Sequence, residues 1–372
     1  MRKNLFAGEG GSIYLFGLCG ASILGTALYY ILAGRTGSFD GMSVVDWVLY
    51  AVNQIAFVAV VIGYGAARRV DILSVAKVRP AGRPAQYALL VPIAVVSIAA
   101  FFPLYMLFTA LLSVMGYPTG GAVSMPAFSN AGTFILSVFV MAVLPAIGEE
   151  LFMRGAVLPA LASRGTWFGV FISALLFSLM HANPMQTVYQ FCFGAVLAVV
   201  FMLSRSLLPC VVLHFLSNSF TLVLTAYIPE VDAVIASLGA YNWLTGTVSF
   251  VVGSLLLVWL LWLYRRAGKP RAEREGYRVS DAGIVFDDCT LYAYSDDALP
   301  AKPKRAGAAL VESFKFVGSM FTKKGWKAAE RELFLSAGIP YAGKTQPMLG
   351  VWLAIGFSAV YWALALLRGL AL

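Results

Sequence analysis

Long apolar runs, broken at short intervals by polar or basic residues, dominate the chain and set its expected architecture. A helix of about 20 apolar residues crosses a bilayer. On that criterion spans are expected near residues 12–33, 46–66, 86–114, 133–154, 166–182, 186–204, 207–227, 244–264 and 347–367. The run from Ser12 to Ala33 is too long for a secretory signal core and is read as the first span. The expected fold class is all-α, a polytopic membrane helix bundle of about eight spans over residues 1–264. A basic, polar insert over 265–345 follows, and a ninth span closes the chain in 346–372.

Basic residues alternate between the two sets of connections, which orients the bundle. Arg2 and Lys3 precede the first span; Arg68, Arg69, Lys77, Arg79 and Arg83 follow the second against one acid, Asp71. Arg164 and Arg205 mark two later turns, and Arg265, Arg266, Lys269 and Arg271 follow the eighth span. The intervening connections are poor in positive charge: only Arg35 in the first, none in 116–131, and only the acids Glu230 and Asp232 in 228–243. The N-terminus and residues 265–345 are therefore expected to be cytoplasmic. The insert holds 15 Lys+Arg and 10 Asp+Glu. From Lys269 to Gly307 it has few large apolar residues and is expected to be flexible. From Ala308 to Ala337, Leu310, Phe314, Val317 and Phe321 alternate with Lys315, Lys323, Lys324 and Lys327. A basic amphipathic helix on an anionic lipid surface fits that pattern, and so does a solvated charged helix.

Composition agrees: 60% of residues are hydrophobic and 12% charged, against about 25% charged in an ordinary soluble domain. The net charge of +9 does not indicate nucleic acid, because the basic residues gather where apolar runs end. Cys19, Cys192, Cys210 and Cys289 have neither metal-like nor disulfide-framework spacing. There is no internal repeat and no Gly-rich phosphate loop.

Between Tyr87 and Ile228 the acidic and basic side chains reduce to Glu149, Glu150, Arg154, Arg164, His181, Arg205 and His214. A charge at membrane depth costs at least ~2.5–3.5 kcal/mol, so the five away from the Arg164 and Arg205 turns need a reason. Glu150 and Arg154 are four apart and face each other on a helix, while Glu149 is rotated by about 100° and does not share that arginine. A charged cap at a helix end is the plain alternative. Phe177 and His181 share a face, and a packed, hydrogen-bonded histidine is the alternative there. Glu149 lies 15 residues before the Arg164–Gly165 turn and His181 16 after it. A hairpin would bring them to similar depth with one water between them. His214 and Asn218 also share a face, as paired donors for an oxyanion or as glue between spans. Counted from the Arg205 turn, His214 is expected nearer the cytoplasm than His181, and a break at Pro159 or Pro209 would reconcile the two.

The succession Glu-Glu-x-x-x-Arg, Phe-x-x-x-His and His-x-x-x-Asn, each on a span, resembles the CAAX protease and bacteriocin-processing (CPBP) family, which includes the type II CAAX prenyl endopeptidases. The resemblance covers residues 130–225 and has no counterpart for 265–372. It implies an intramembrane endopeptidase in which Glu149 activates water, His181 helps position it, and His214 and Asn218 stabilise the oxyanion. Glu150 and Arg154 would hold the site's shape. It implies a membrane-associated or lipidated protein or peptide as substrate. An unadorned bundle with so few targeting features is itself expected in a bacterial cell membrane. No cofactor is expected; a zinc-dependent variant would use Glu149, His181 and His214, although the His-Glu-x-x-His signature is lacking. A non-catalytic scaffold that binds a partner protein is one rival reading. The other, a proton-coupled transporter, predicts internal repeats that the chain does not have.

Overall fold

The computed structural model describes residues 4–35, 37–78, 84–118, 125–227, 242–274, 284–286, 289–291 and 306–370. Outside them lie the expected flexible stretch for the most part, Arg2, Lys3, Arg79 and Arg83, and the Glu230–Asp232 connection. Twelve helices carry the described chain. They are α1 (Ala7–Leu32), α2 (Val44–Arg68), α3 (Ile72–Ala76), α4 (Pro84–Val114), α5 (Ala131–Ala162), α6 (Thr166–Leu179) and α7 (Thr187–Ser204). Then come α8 (Leu208–Tyr227), α9 (Asn242–Arg274), α10 (Ala306–Ser319), α11 (Lys323–Ala337) and α12 (Leu349–Leu370). Two small antiparallel ribbons join β1 (Ser38–Phe39) to β2 (Met42–Ser43) and β3 (Ile284–Phe286) to β4 (Cys289–Leu291).

The chain is an all-α polytopic membrane helix bundle. Seven of its helices are long and apolar enough to cross a membrane: α1, α2, α4, α5, α7 with its preceding turn, α9 and α12. The two other expected spans are shorter. The apolar part of α8 is Leu208–Leu224, and α6 has 14 residues. At 1.5 Å per residue α6 is about 21 Å long, short of a hydrocarbon core of about 30 Å. It ends at Leu179, and the chain turns into α7.

The backbone polar groups of that turn are met by its own side chains. Asn183 accepts from the Met185 N–H and Ser178 donates to the Thr187 carbonyl. The Thr187 hydroxyl donates to the Pro184 carbonyl and accepts from the Trp362 indole of α12 at 2.7 Å. Ala182 takes a positive φ of 46° to close the loop.

Two proline-bearing helices obey the same rule. A proline cannot donate to the carbonyl four residues back, and its ring crowds that carbonyl. In α5 each crowded position is relieved by a wider π-helical turn, Phe139–Val143 before Leu144-Pro145 and Met153–Val157 before Leu158-Pro159. Four residues before Pro145 is Met141, whose carbonyl instead accepts from the Asn218 amide of α8 at 3.3 Å. Four before Pro103 in α4 is Ala99, whose carbonyl accepts from the Ser249 hydroxyl of α9 at 2.8 Å.

The basic ends lie together at one end of the bundle. The Lys77 carbonyl accepts from the Leu207 N–H, and the Lys77 amine donates to the Ala337 carbonyl. Arg164 donates to the Lys344 carbonyl at 3.3 Å. The expected single amphipathic helix over 308–337 is two helices, α10 and α11, with Thr322 capping α11 through the Gly325 N–H. Neither lies free: Leu333, Ala337 and Ile339 join the main core, Trp326 packs on Trp167 and Phe171, and Glu332 pairs with Arg265. The face expected to be apolar is split, because Phe314 and Phe321 point outward beside the exposed lysines 315, 323, 324 and 327. The last helix crosses α1 at very close range, a Cβ on Gly11 falling on the Gly350 backbone. We predict that Gly11→Leu pries α12 from α1 and lowers the unfolding temperature of the detergent-purified protein, while Gly63→Leu, at a position open on all sides, leaves it unchanged.

At the opposite end Asp40 accepts from the Phe128 N–H at 2.9 Å, the Ser129 N–H at 3.1 Å and the Ser129 hydroxyl. These bonds, led by the Ser129 hydroxyl, hold its carboxyl below the usual carboxylate range. They anchor the segment that enters α5 at its Asn130 cap. A depressed folded-state value means a contribution complete above the ordinary carboxylate value and lost as pH falls through the lower one. Amide exchange at Phe128 and Ser129 is therefore expected to speed up below that value, and Asp40→Asn to give much of the same loss at neutral pH.

Candidate active site

Two consecutive turns of α5 carry Glu149, Glu150 and Arg154, and all three side chains are turned into the bundle. Glu150 and Arg154, one helical turn apart, meet at 2.7 Å with neither exposed. The same Glu150 oxygen accepts from His214 Nδ1 of α8 at 2.9 Å. Arg154 spends its second terminal nitrogen on the Gly194 carbonyl of α7 at 3.0 Å and lies 4.3 Å over the Phe177 ring of α6. One carboxylate thus ties together four helices. The expected Glu150–Arg154 pair is present, and it has taken His214 as a third member.

Glu149 faces another way, as its rotation on the helix requires. Its Oε1 accepts from Gln54 Nε2 of α2 at 3.1 Å. Its Oε2 is buried without a hydrogen-bond partner and lies 3.9 Å from His181 Nε2. His181 Nδ1 is 2.7 Å from the Phe177 carbonyl. A carbonyl only accepts, so Nδ1 carries the proton, and a neutral imidazole then presents the Nε2 lone pair toward Glu149. The two side chains retain 10% and 21% of their exposure, whereas the Glu150 cluster is sealed.

The expected difference in depth between the histidines does not arise. Both imidazoles meet the Phe177 ring edge-on, at 5.0 Å for His181 and 5.9 Å for His214. The Arg205 turn from which His214 was counted is recessed: Ser206 is fully buried and Arg205 lies against Gly338 of the docked insert. Neither Pro159 nor Pro209 breaks a helix sharply; π-helical turns absorb the proline in α5. Asn218 joins the group from the next turn of α8, with its amide directed at the Met141 carbonyl.

Glu149, Glu150, Arg154, His181 and His214 are linked through direct contacts and the shared Phe177 ring, while Asn218 stands one turn from His214 on α8 and meets the Met141 carbonyl. Reasoning over ionisable groups alone missed Gln54 and the Gly194 and Phe177 carbonyls. Gln54 had a visible signal, because Asn53-Gln54 is an amide pair inside the apolar run 46–66. The carbonyls had none, since backbone direction is not written in residue identity. Among the described residues no three His, Cys, Asp or Glu side chains gather as a metal-holding set. His214 turns Nδ1 to Glu150, and Glu149 lies between Gln54 and His181.

The seven long apolar helices and this buried acid–histidine group define an integral membrane protein with a polar centre inside an apolar bundle. Within it, residues 131–220 match the family model of the type II CAAX prenyl endopeptidase Rce1-like proteins, a membrane protease family. The match runs from the first residue of α5 into α8 and contains all six expected site residues, but less than half of the 372-residue chain. No curated protein and no solved structure matches significantly.

Removing one member of a buried ion pair strands the other charge and costs about 3–5 kcal/mol. Arg154→Leu is accordingly expected to destabilise the fold by that order, read as lost yield and a lowered unfolding midpoint. Glu149→Gln, which strands no charge, is expected to remain close to wild type in both.

Proposed function

We propose that the chain is an intramembrane endopeptidase that hydrolyses a peptide bond of a membrane-associated or lipidated protein or peptide. The observation that carries this is the buried, unpartnered Glu149 Oε2 facing His181 Nε2 at 3.9 Å. That gap is too long for a direct hydrogen bond and suits one bridging water. Both atoms are acceptors, so such a water donates one O–H to each and turns its lone pairs outward. Glu149 then takes a proton as the water oxygen attacks the carbonyl carbon of the scissile bond. The amide nitrogen leaves with that proton, and the carboxylate is regenerated. His214 gives Nδ1–H to the Glu150 carboxylate and, as the imidazolium, gives Nε2–H to the developing oxyanion. Asn218 keeps a second amide N–H beyond the one spent on Met141. Glu150 and Arg154 hold the geometry without touching substrate.

In this reading water is activated by the carboxylate alone, with no zinc. The basic end of the bundle, with residues 265–345, faces the cytoplasm of a bacterial cell. There the exposed lysines and Phe314 and Phe321 of the docked insert suit an anionic lipid surface.

The test compares cells producing the wild type with cells producing Glu149→Gln at equal abundance, mapping protein termini by mass spectrometry. Termini found only with the wild type are the expected result and identify the substrate. Identical sets of termini overturn proteolysis and favour a scaffold or a proton-coupled transporter. Cleavage of the substrate so found by the purified protein should persist in excess chelator; a loss restored by zinc would overturn the metal-free mechanism.

A further inference from the structure

Gln54 stands on α2, outside the segment that matches the protease family, yet it makes the one direct hydrogen bond that Glu149 receives among the described residues. Its side chain is 7% exposed. Carboxylate oxygens only accept, so the amide must turn Nε2 toward Glu149, and the 3.1 Å contact is N–H donating to Oε1. The other amide atom, Oε1, is buried and has no hydrogen-bond partner. An uncompensated amide oxygen in an apolar bundle costs free energy, which a residue serving only packing has no reason to incur.

The packing around Gln54 is built for this contact. A Cβ on Gly148, the residue before Glu149, would lie 2.8 Å from Gln54 Oε1, 2.9 Å from its Cβ and 3.1 Å from its Cα. Only a glycine lets α2 come this close to α5. One turn further on, Phe152 of α5 stacks on Phe57 of α2 with ring centroids 4.6 Å apart and an interplanar angle of 10°. Its opposite neighbour is Tyr14 of α1, at 5.8 Å. The aromatic stack fixes the register of α2 along α5, and the missing side chain at 148 fixes their separation. Together they bring the Gln54 amide to Oε1.

We infer that Gln54 is a positioning residue of the site, holding Glu149 by Oε1 so that Oε2 stays free and aimed at the His181 face. A carboxylate with both oxygens unheld could rotate about its last bond and present either one. With Oε1 tethered, the plane of the group is set and a single oxygen faces the water position. The assignment of activity rests on the endopeptidase reading above; the hydrogen bond itself does not.

The experiment has two readouts, each on the full-length protein in membranes. The infrared carboxylate band of Glu149 is identified as the band lost in Glu149→Gln. It is expected to shift in Gln54→Met, which keeps length and bulk but removes the donor, and in Gln54→Asn, which stays polar but falls one methylene short. The termini that depend on Glu149 are expected to drop by up to about 100-fold in both variants at equal abundance, as for a displaced reacting group. Gly148→Ala, which leaves every site side chain intact and pushes α2 away, is expected to reproduce both effects. An unshifted band in folded Gln54 variants, or termini at the wild-type level, overturns the assignment. If wild type and Glu149→Gln yield the same termini, the endopeptidase reading falls instead, and the band alone decides whether Gln54 holds the carboxylate.

Discussion

A single buried carboxylate oxygen, Glu150 Oε1, receives both the Arg154 guanidinium and the His214 imidazole, and the rest of the bundle is arranged around keeping that possible. Neither charge of the buried pair can be left alone, and the two terminal nitrogens of Arg154 are both met, although its Nε has no hydrogen-bond partner. The guanidinium is met by the carboxylate, by the Gly194 carbonyl and by the face of Phe177. These partners come from α5, α6 and α7, and His214 adds α8. Moving any one of the four would strand a charge, which explains how the bundle keeps two histidines against the same phenylalanine. The neighbouring Glu149 lies outside this arrangement. Its rotation on the helix is what leaves a second carboxylate available for chemistry.

The backbone follows the same logic as the charges. Irregular chain inside an apolar medium persists only where each polar group finds a partner. Proline frees carbonyls in α4 and α5, and at Pro103 and Pro145 a side chain from a neighbouring helix answers the freed carbonyl. Asn218 therefore has two consequences from one position. It closes the Met141 carbonyl, and in doing so it holds its amide beside the histidine one turn away. The same economy marks the α6–α7 turn, where Thr187 and Asn183 satisfy the loop that presents His181.

The parts of the chain without a counterpart in the matched family segment are joined to the site rather than appended to it. Trp362 of α12 donates to Thr187 in the His181 turn, and Ser358 donates to the Tyr14 hydroxyl, which in turn reaches the Leu176 carbonyl of α6. Residues Gly338 and Ala337 of the insert cover the Arg205 turn and the Lys77 loop. The last helix and the insert thereby brace, from behind and from below, the hairpin that carries His181.

The apolar runs, the basic ends and the three spaced motifs were legible in the sequence, because each is a local property. Hydropathy over about 20 residues reports membrane depth, and a four-residue interval reports a shared helix face. Those two rules gave the bundle, the Glu150–Arg154 pair and the separation of Glu149 from it. They carried α6 to residue 182 where the helix ends at Leu179, since an apolar run says nothing about where the chain turns. They also set His214 too near the membrane surface, because counting from a turn assumes that the turn lies at the surface. The binding of His214 to Glu150, the hold of Gln54 on Glu149 and the docking of the insert depend on which helices become neighbours. Interhelical distance is fixed by packing across the whole bundle, down to the missing side chain at Gly148, and no local pattern encodes it.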